Sequence, residues 1–461
     1  MLHLTVPAIN DAERRYVLDI VLRRWLGLDH VVTVDPEARV TTIRLADRPE
    51  ELTVSEGVLS VELDRSQHLA VESSDGWADL GAPAASAAPM VDRVPVLHGA
   101  VPSSASRRTT SGAAVDVDVW GTVFALLTGL EDRFINERDG HGRVPATSSL
   151  LHRRGMVERP VVDELVEVLW AVMSSLWPRL TRRRRQPKVS LTQDVDRLTR
   201  FGEATMVDLA LAAGARLRIG GPAQALTAVR QGLAVRANGL ESDPYYTFER
   251  FMDLSEKHGH VAGFYFIARF GTADGTRLGH YEMDDPLTMK LLRRIVERGH
   301  NLGVHPGYDS HLDVGALRAD AAALEAAASA AGMELESVGG RHHYLRWDSH
   351  RSPGCWAGAG LSHDSSVGFA ESIGFRAGTS KPFPLWDHQQ RQPTNVEERP
   401  LIYMDATLPA MGMTLRADET AERLLALKAS CLRFDGDFTL LVHNEDVAAP
   451  GGFELLDVLL A

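Results

Sequence analysis

Hydrophobic and polar positions change period part-way along the chain. After Asn10 or Asp11, either of which can cap a helix, Val17, Leu18, Val21, Leu22 and Trp25 recur on one helical face until Gly27 stops the run. Short β-rich runs at 30–34, 40–45 and 58–63 predict hairpin strands of a small mixed sheet. Residues 81–90 and 102–115 are rich in Ala, Ser and Pro without any period, which predicts exposed loops. Val119, Val123, Phe124 and Leu127 predict a helix over 118–130, and Val161, Leu165, Val168 and Leu169 predict another over 160–176. Trp177 and Pro178 end the second. The glycine turn 138–143 between these helices carries His141, which reads as a surface residue.

The basic stretch 179–188 reads as an interdomain linker. Beyond it strands alternate with helices. Residues 189–196 predict a strand, 245–258 a helix and 261–267 an apolar strand. Asp284 or Asp285 caps a helix with Pro286 at its first position. That helix ends near Gly299, and 301–305 follows as a strand. An alanine-rich helix spans 313–331, strands lie near 335–338, 361–365 and 401–406, and a helix at 418–432 leads into a strand at 438–443. Such alternation favours parallel strands covered by helices, with chemistry at the strands' C-terminal ends. No internal repeat is present, and Ile219-Gly220-Gly221-Pro222 reads as a plain turn rather than a phosphate loop.

Composition narrows the function. A chain of 461 residues suggests two or three domains. A net charge of -13 argues against nucleic acid or an anionic membrane as the main partner. The run Arg182-Arg183-Arg184-Arg185 reads as a solvated part of the linker. Cys355 and Cys431 are the only cysteines, which fits a reducing compartment and no disulfide framework. No signal peptide and no membrane span are visible, so a cytoplasmic location is expected.

Several predicted strands end in ionisable residues. Asp194 and Asp196 are two apart and share one face of a straight strand, where two carboxylates repel unless a cation or a shared proton lies between them. Later ends carry His305, followed by Asp309 and His311; Arg341-His342-His343-Tyr344; His363-Asp364; and His443. A lone histidine at a strand end is usually structural. Four such ends on one rim supply the carboxylate and imidazole donors of a divalent metal with an open position, leaving a further carboxylate as general base and a histidine as general acid.

The order Asp-x-Asp, Gly-x-His, Arg-x-x-Tyr, Leu-x-His over 187–461 resembles the polysaccharide deacetylase family, carbohydrate esterase family four with the NodB-homology fold. The resemblance implies an α/β fold, a distorted (β/α) barrel of the deacetylase type, preceded by a smaller α+β N-terminal domain over 1–180. That N-terminal part resembles a domain of undefined role found ahead of such deacetylases in bacterial surface-polysaccharide gene sets. The matching pieces are Glu13-Arg14-Arg15-Tyr16-Val17-Leu18-Asp19, Asp118-Val119-Trp120-Gly121 and Arg159-Pro160-Val161-Val162-Asp163-Glu164. Residue by residue, the resemblance implies Asp194 as catalytic base and Asp196 as metal ligand, with exchange of the two roles open because Val195 separates them. His305 is implied as a second ligand. Asp309 or His311 closes the shell, with His311 favoured. Arg341 is implied to orient the base, with Arg346 as a substitute, and His443 to act as acid. Tyr344, Asp364 and Arg376 are implied substrate-binding or supporting residues. The implied cofactor is a divalent metal, Zn²⁺ before others, and the implied partner is a glycan or sugar precursor. The implied reaction removes acetyl groups from N-acetylated sugars during cell-surface polysaccharide biosynthesis. Hydrolysis of another carbon–nitrogen bond, or an inactive glycan-binding or assembly module, are the other readings.

Overall fold

The computed structural model describes residues 1–63, 76–82, 84–87, 91–202, 206–274, 280–414 and 418–461. The N-terminal region opens with strand β1 (Leu2–Val6), helix α1 (Asp11–Leu18) and its π-helical continuation to Trp25. Strands β2 (His30–Val34), β3 (Thr41–Leu45) and β4 (Glu51–Val54) follow. After them come a short hairpin, β5 (Trp77–Asp79) with β6 (Arg93–Pro95), and strands β7 (Ser106–Arg108) and β8 (Gly112–Val115). Helices α2 (Val119–Thr128), α3 (Leu150–Arg153) and α4 (Val161–Leu176) complete the region. Its main sheet runs β2-β1-β3-β4-β8-β7.

Three expectations are corrected here. Residues 58–60 form a 3₁₀ turn instead of a strand, because Asp118 accepts the Val58 N–H at 2.7 Å and the Gly121 N–H at 2.9 Å, capping α2 and fixing that turn together. The stretch 102–115 is not all loop: β7 and β8 pair with each other, and β8 pairs in parallel with β4. The arginine run is strapped down. Arg182 pairs with Glu167 at 2.6 Å, Arg184 with Asp435 at 2.8 Å and Arg185 with Asp437, so the connection is clamped to both sides of the molecule.

The second region is built on β9 (Val189–Val195), with β10 (Gly263–Phe266) and β16 (Phe438–His443) parallel on its two sides. Strand β11 (Asn301–Val304) lies beyond β10, and β15 (Tyr403–Met404) beyond β16. Burial on both faces explains why β10 and β16 read as continuous apolar runs. A three-stranded unit, β12 (His363–Asp364), β14 (Gln392–Glu398) and β13 (Phe383–Asp387), continues the sheet through Gly340. Gly340 bridges in parallel to Val304 on one side and Asp364 on the other. A Cβ there would lie 1.7 Å from the Val304 carbonyl oxygen, so the position needs glycine. The expected strand at 335–338 is absent, and its place in the sheet falls to this single bridging residue.

Helices lie between the strands: α5 (Met206–Asn238), α6 (Phe248–Lys257), α7 (Pro286–Glu297), α8 (Val314–Ala330), α9 (Ser352–Ala359), α10 (Asp418–Arg433), α11 (Asn444–Val447) and α12 (Gly452–Leu460). Pro286 sits at the start of α7 with Asp285 before it, as read from the sequence. The turn read at 219–222 is a break inside α5, where Gly221 has φ 75° ahead of Pro222. No helix among the described residues is long and apolar enough to cross a membrane.

The two regions share one apolar core, which includes Val17 and Phe124 from the first and Phe375, Trp386 and Phe438 from the second. Across the join, the Tyr16 hydroxyl donates to the Pro384 carbonyl at 2.7 Å, and the Phe124 and Trp386 rings meet edge-on at 5.6 Å. His98 is buried in the first region with Nδ1 3.1 Å from the Thr122 hydroxyl, and burial lowers its pKa from 6.5 to about 4. The folded state thus refuses a proton that the unfolded chain takes up. The stability from neutral His98 is full above pH 6.5 and is lost as pH falls towards 4, a change on the order of 3 kcal/mol. Urea unfolding of wild type and His98→Gln should converge as pH is lowered through this window. Parallel curves would contradict a buried neutral His98.

Candidate metal and catalytic site

The C-terminal ends of β9, β11 and β16, with the segment after Gly340, bring five of the expected residues together. Asp194 is buried on β9, paired across the sheet with His443 on β16. Its Oδ1 accepts from Arg341 Nη1 at 2.8 Å. Arg341 is fully buried, and it also donates from Nε to the Ser365 carbonyl at 2.9 Å and from Nη2 to the Ser365 hydroxyl at 3.0 Å. A guanidinium held at three points fixes the carboxylate in place. Arg346 takes no part: it binds the carbonyls of His141 and Tyr308.

Asp196 faces two imidazoles instead. His305 Nε2 is 3.2 Å from Asp196 Oδ1, and His343 Nε2 is 3.6 Å from Asp196 Oδ2. Each ring is anchored at its other nitrogen: His305 Nδ1 lies 2.6 Å from the Arg341 carbonyl, and His343 Nδ1 lies 3.1 Å from Asp274 Oδ1. Anchored at Nδ1, both rings turn Nε2 towards Asp196, the orientation of histidines that bind metal; against burial, Asp196 and Asp274 raise the His343 pKa to about 9, so a bound metal would take the place of its Nε2 proton. His305 Nε2 and Asp196 Oδ1 are buried and lack hydrogen-bond partners despite their proximity. Donor atoms around a tetrahedral zinc stand about 3.3 Å apart, given metal–ligand distances near 2.0–2.1 Å. The two carboxylate–imidazole separations, 3.2 and 3.6 Å, lie close to that spacing, and the three residues form one of two metal-capable groups among the described residues.

The other group is Asp405, His443 and Asp446. Here Asp405 holds both the His443 ring, Nδ1 to Oδ1 at 2.7 Å, and the His443 backbone N–H at 2.7 Å. Nε2 of His443 points back towards the first group, 4.0 Å from Asp196 Oδ2. Burial disfavours a charged His443 ring, but Asp405 and then Asp196 and Asp194 outweigh it and raise its pKa well above 6.5. The result is a protonated imidazole, fixed in orientation, beside the metal-capable group. Burial likewise opposes charge on Asp196, and the facing histidines hold its pKa well below 3.8.

Not every expected residue joins the site. His311 lies outside the Asp196–His305–His343 group: its ring packs against His342 at 5.3 Å, and burial lowers its pKa to about 4. His343 stands where His311 was expected. Asp309 is taken up by the Thr272 N–H at 2.7 Å and hydroxyl at 3.0 Å. Asp364 is fully buried, where it accepts from the Ser366 N–H at 2.9 Å and hydroxyl at 2.6 Å and lies beside Glu398. Arg376 donates to the Gly368 carbonyl and to Asp132 at 3.0 Å each. Tyr344 lies at the rim, 42% exposed. The sequence reading left His343, Asp274 and Asp405 without roles. Asp405 was within reach, since it lies one residue before the end of the strand expected at 401–406.

Comparison with known proteins places the chain as follows. The family described as "Family of unknown function (DUF7033)" matches residues 2–178. No curated protein matches the chain. Similar solved structures include a candidate polysaccharide deacetylase from Mycobacterium smegmatis, at TM-score 0.38 and 15% identity over 60% of this chain and 84% of that one. A probable polysaccharide deacetylase from Pseudomonas aeruginosa PAO1 gives TM-score 0.36 and 12% identity over 59% and 83%. Puue allantoinase gives TM-score 0.37 and 12% identity over 59% and 82%. At likeness this low, the side-chain geometry carries the functional reading.

Proposed function

We propose that the chain is a metal-dependent hydrolase on a distorted (β/α) barrel over 187–461, with an N-terminal domain over 1–180. Its substrate would be an N-acetylated sugar of a bacterial surface polysaccharide or its precursor, met in the cytoplasm. One observation carries this reading. A carboxylate fixed by a buried arginine, a carboxylate facing two aimed imidazoles, and a protonated imidazole fixed by a third carboxylate all meet at one rim. Amide hydrolysis needs these three parts: a base for water, support for the carbonyl oxygen, and an acid for the leaving amine.

Asp196, His305 and His343 would hold the metal, zinc before other ions, and when bound it would polarise the acetamide carbonyl and acidify a water. Asp194, kept in place by Arg341, takes the proton from the attacking water. His443, kept charged by Asp405, gives a proton to the departing sugar nitrogen. The same parts serve other non-peptide C–N bonds, so the substrate is decided by assay. Wild-type protein purified with micromolar zinc should carry metal and release acetate from N-acetylated saccharides, and Asp196→Ala should do neither. A wild type that takes up no metal would remove the enzyme reading.

A further inference from the structure

The turn read as a surface feature, with His141 at its centre, reaches the rim of the site. His141 stacks on Tyr344 at 4.4 Å and 24° between planes, and its Nδ1 is 3.3 Å from the Tyr308 hydroxyl. Tyr308 meets Tyr344 edge-on at 5.4 Å. Tyr344 in turn packs at 4.4 Å on the His343 ring, which is 4.9 Å from His305. A ladder of rings thus runs from the N-terminal turn to the metal-capable group.

The backbone beneath Tyr344 is unusual. Tyr344 and Leu345 are successive non-glycine residues in the left-handed region, with φ of 60° and 51°. Such a conformation is strained and persists only where its surroundings impose it. Arg143 donates to the Tyr344 carbonyl and is itself clamped by Asp139, Nε to Oδ2 at 2.7 Å. Asp139 also accepts the His141 and Arg143 N–H groups at 2.9 Å each, which rigidifies the turn. Arg346 ties the turn to the site from the other side through the His141 and Tyr308 carbonyls.

We infer that the N-terminal turn Asp139–Arg143 is a wall of the catalytic cleft, and that His141 and Arg143 are positioning residues which hold Tyr344 to bind a sugar ring of the substrate. The inference rests on the saccharide reading above. It gives the N-terminal region a role in substrate selection. With His141 stacked on the ring and His343 packed against it, the exposed part of Tyr344 is its outer edge and phenolic hydroxyl, which suit the hydroxyls and C–H groups along the rim of a pyranose. A small acetyl ester, which has no such ring, would not use it.

The test uses full-length zinc-supplemented protein, with an N-acetylglucosamine tetramer and 4-nitrophenyl acetate as probes. His141→Ala and Arg143→Ala should weaken tetramer binding by calorimetry, and raise its KM, by about tenfold, in line with the loss of one aromatic contact. Metal content should stay that of wild type, and ester turnover should fall far less than turnover of the tetramer. His141→Phe, which keeps the stacked ring, should restore most of the binding. Equal tetramer affinity in wild type and alanine variants overturns the inference, as does a parallel fall in ester turnover, which marks a purely structural role. Acetate release from the tetramer is read separately. A wild type that binds without releasing acetate removes the deacetylase reading and leaves the binding comparison decisive, whereas a wild type that does not bind overturns the inference.

Discussion

Asp194→Asn is expected to lower turnover on an acetylated substrate by about 10²–10⁴-fold while the metal content stays that of wild type. Asparagine has the shape of aspartate and keeps an oxygen for Arg341 Nη1, so the hydrogen bond survives, although the buried guanidinium loses its counter-charge and the variant is less stable than wild type. What it loses is the ability to accept a proton from water. The separation of the two readouts carries the meaning. Asp194 faces a guanidinium and Asp196 faces two imidazole nitrogens, so loss of activity with retained metal assigns the base to Asp194. Loss of both together would exchange the roles of the two carboxylates. Arg341→Ala would give no such separation, because removing one member of a fully buried ion pair strands the other and destabilises the fold by about 3–5 kcal/mol.

His443 offers a second handle on the same chemistry. Asp405 holds its Nδ1 and its backbone N–H with separate oxygens. Asparagine has one oxygen for these two donors, so replacing Asp405 with Asn gives up one of the contacts and removes the charge that raises the ring's pKa, against the burial that lowers it. Activity that depends on protonated His443 should then fall off at lower pH than in wild type, a shift of the alkaline limb readable in the pH profile of kcat/KM. An unmoved limb would dissociate His443 from the acid step.

The strands that place these groups were legible because burial on both faces leaves a plain mark. The run at 261–267 is apolar throughout and that at 438–442 is apolar but for Thr439, and β10 and β16 lie on them. β7 and β8 left no such mark. Ser-Arg-Arg and Gly-Ala-Ala-Val have little strand preference of their own, and β8 is held by its pairing with β4, a partner over fifty residues away. The hairpin of β13 and β14 escaped for a related reason, since Gln392–Glu398 is largely polar and is held as a strand by its pairing with the buried Phe383–Asp387. At the site, the types and chain order of Asp194, Asp196, His305, Arg341 and His443 could be read directly. Their distances could not. The left-handed backbone at Tyr344 and Leu345 follows His343 directly and has no signature in the residues that adopt it.

His343→Ala should abolish stoichiometric metal binding, and His311→Ala should leave it intact. Loss of outer partners alone typically weakens a metal site by 10–100-fold, so loss of a ligand should cost at least about 100-fold in affinity, readable by competition with a chromophoric chelator. Asp274→Asn should fall between the two, because it leaves the ligand but loosens the His343 ring it anchors at 3.1 Å. The graded order distinguishes a metal shell from a hydrogen-bonded cluster of the same residues. Equal metal content in wild type and His343→Ala would return the third ligand to another residue. The reason to expect His343 lies in the neighbouring loop. The position four residues after His305 is Asp309, whose carboxylate is committed to the Thr272 amide and hydroxyl and cannot turn inward without stranding them. His311, two residues on, is packed against His342. With that loop closed off, the segment after Gly340 is the next place from which an imidazole can reach Asp196, and it supplies one two residues beyond the arginine that fixes Asp194.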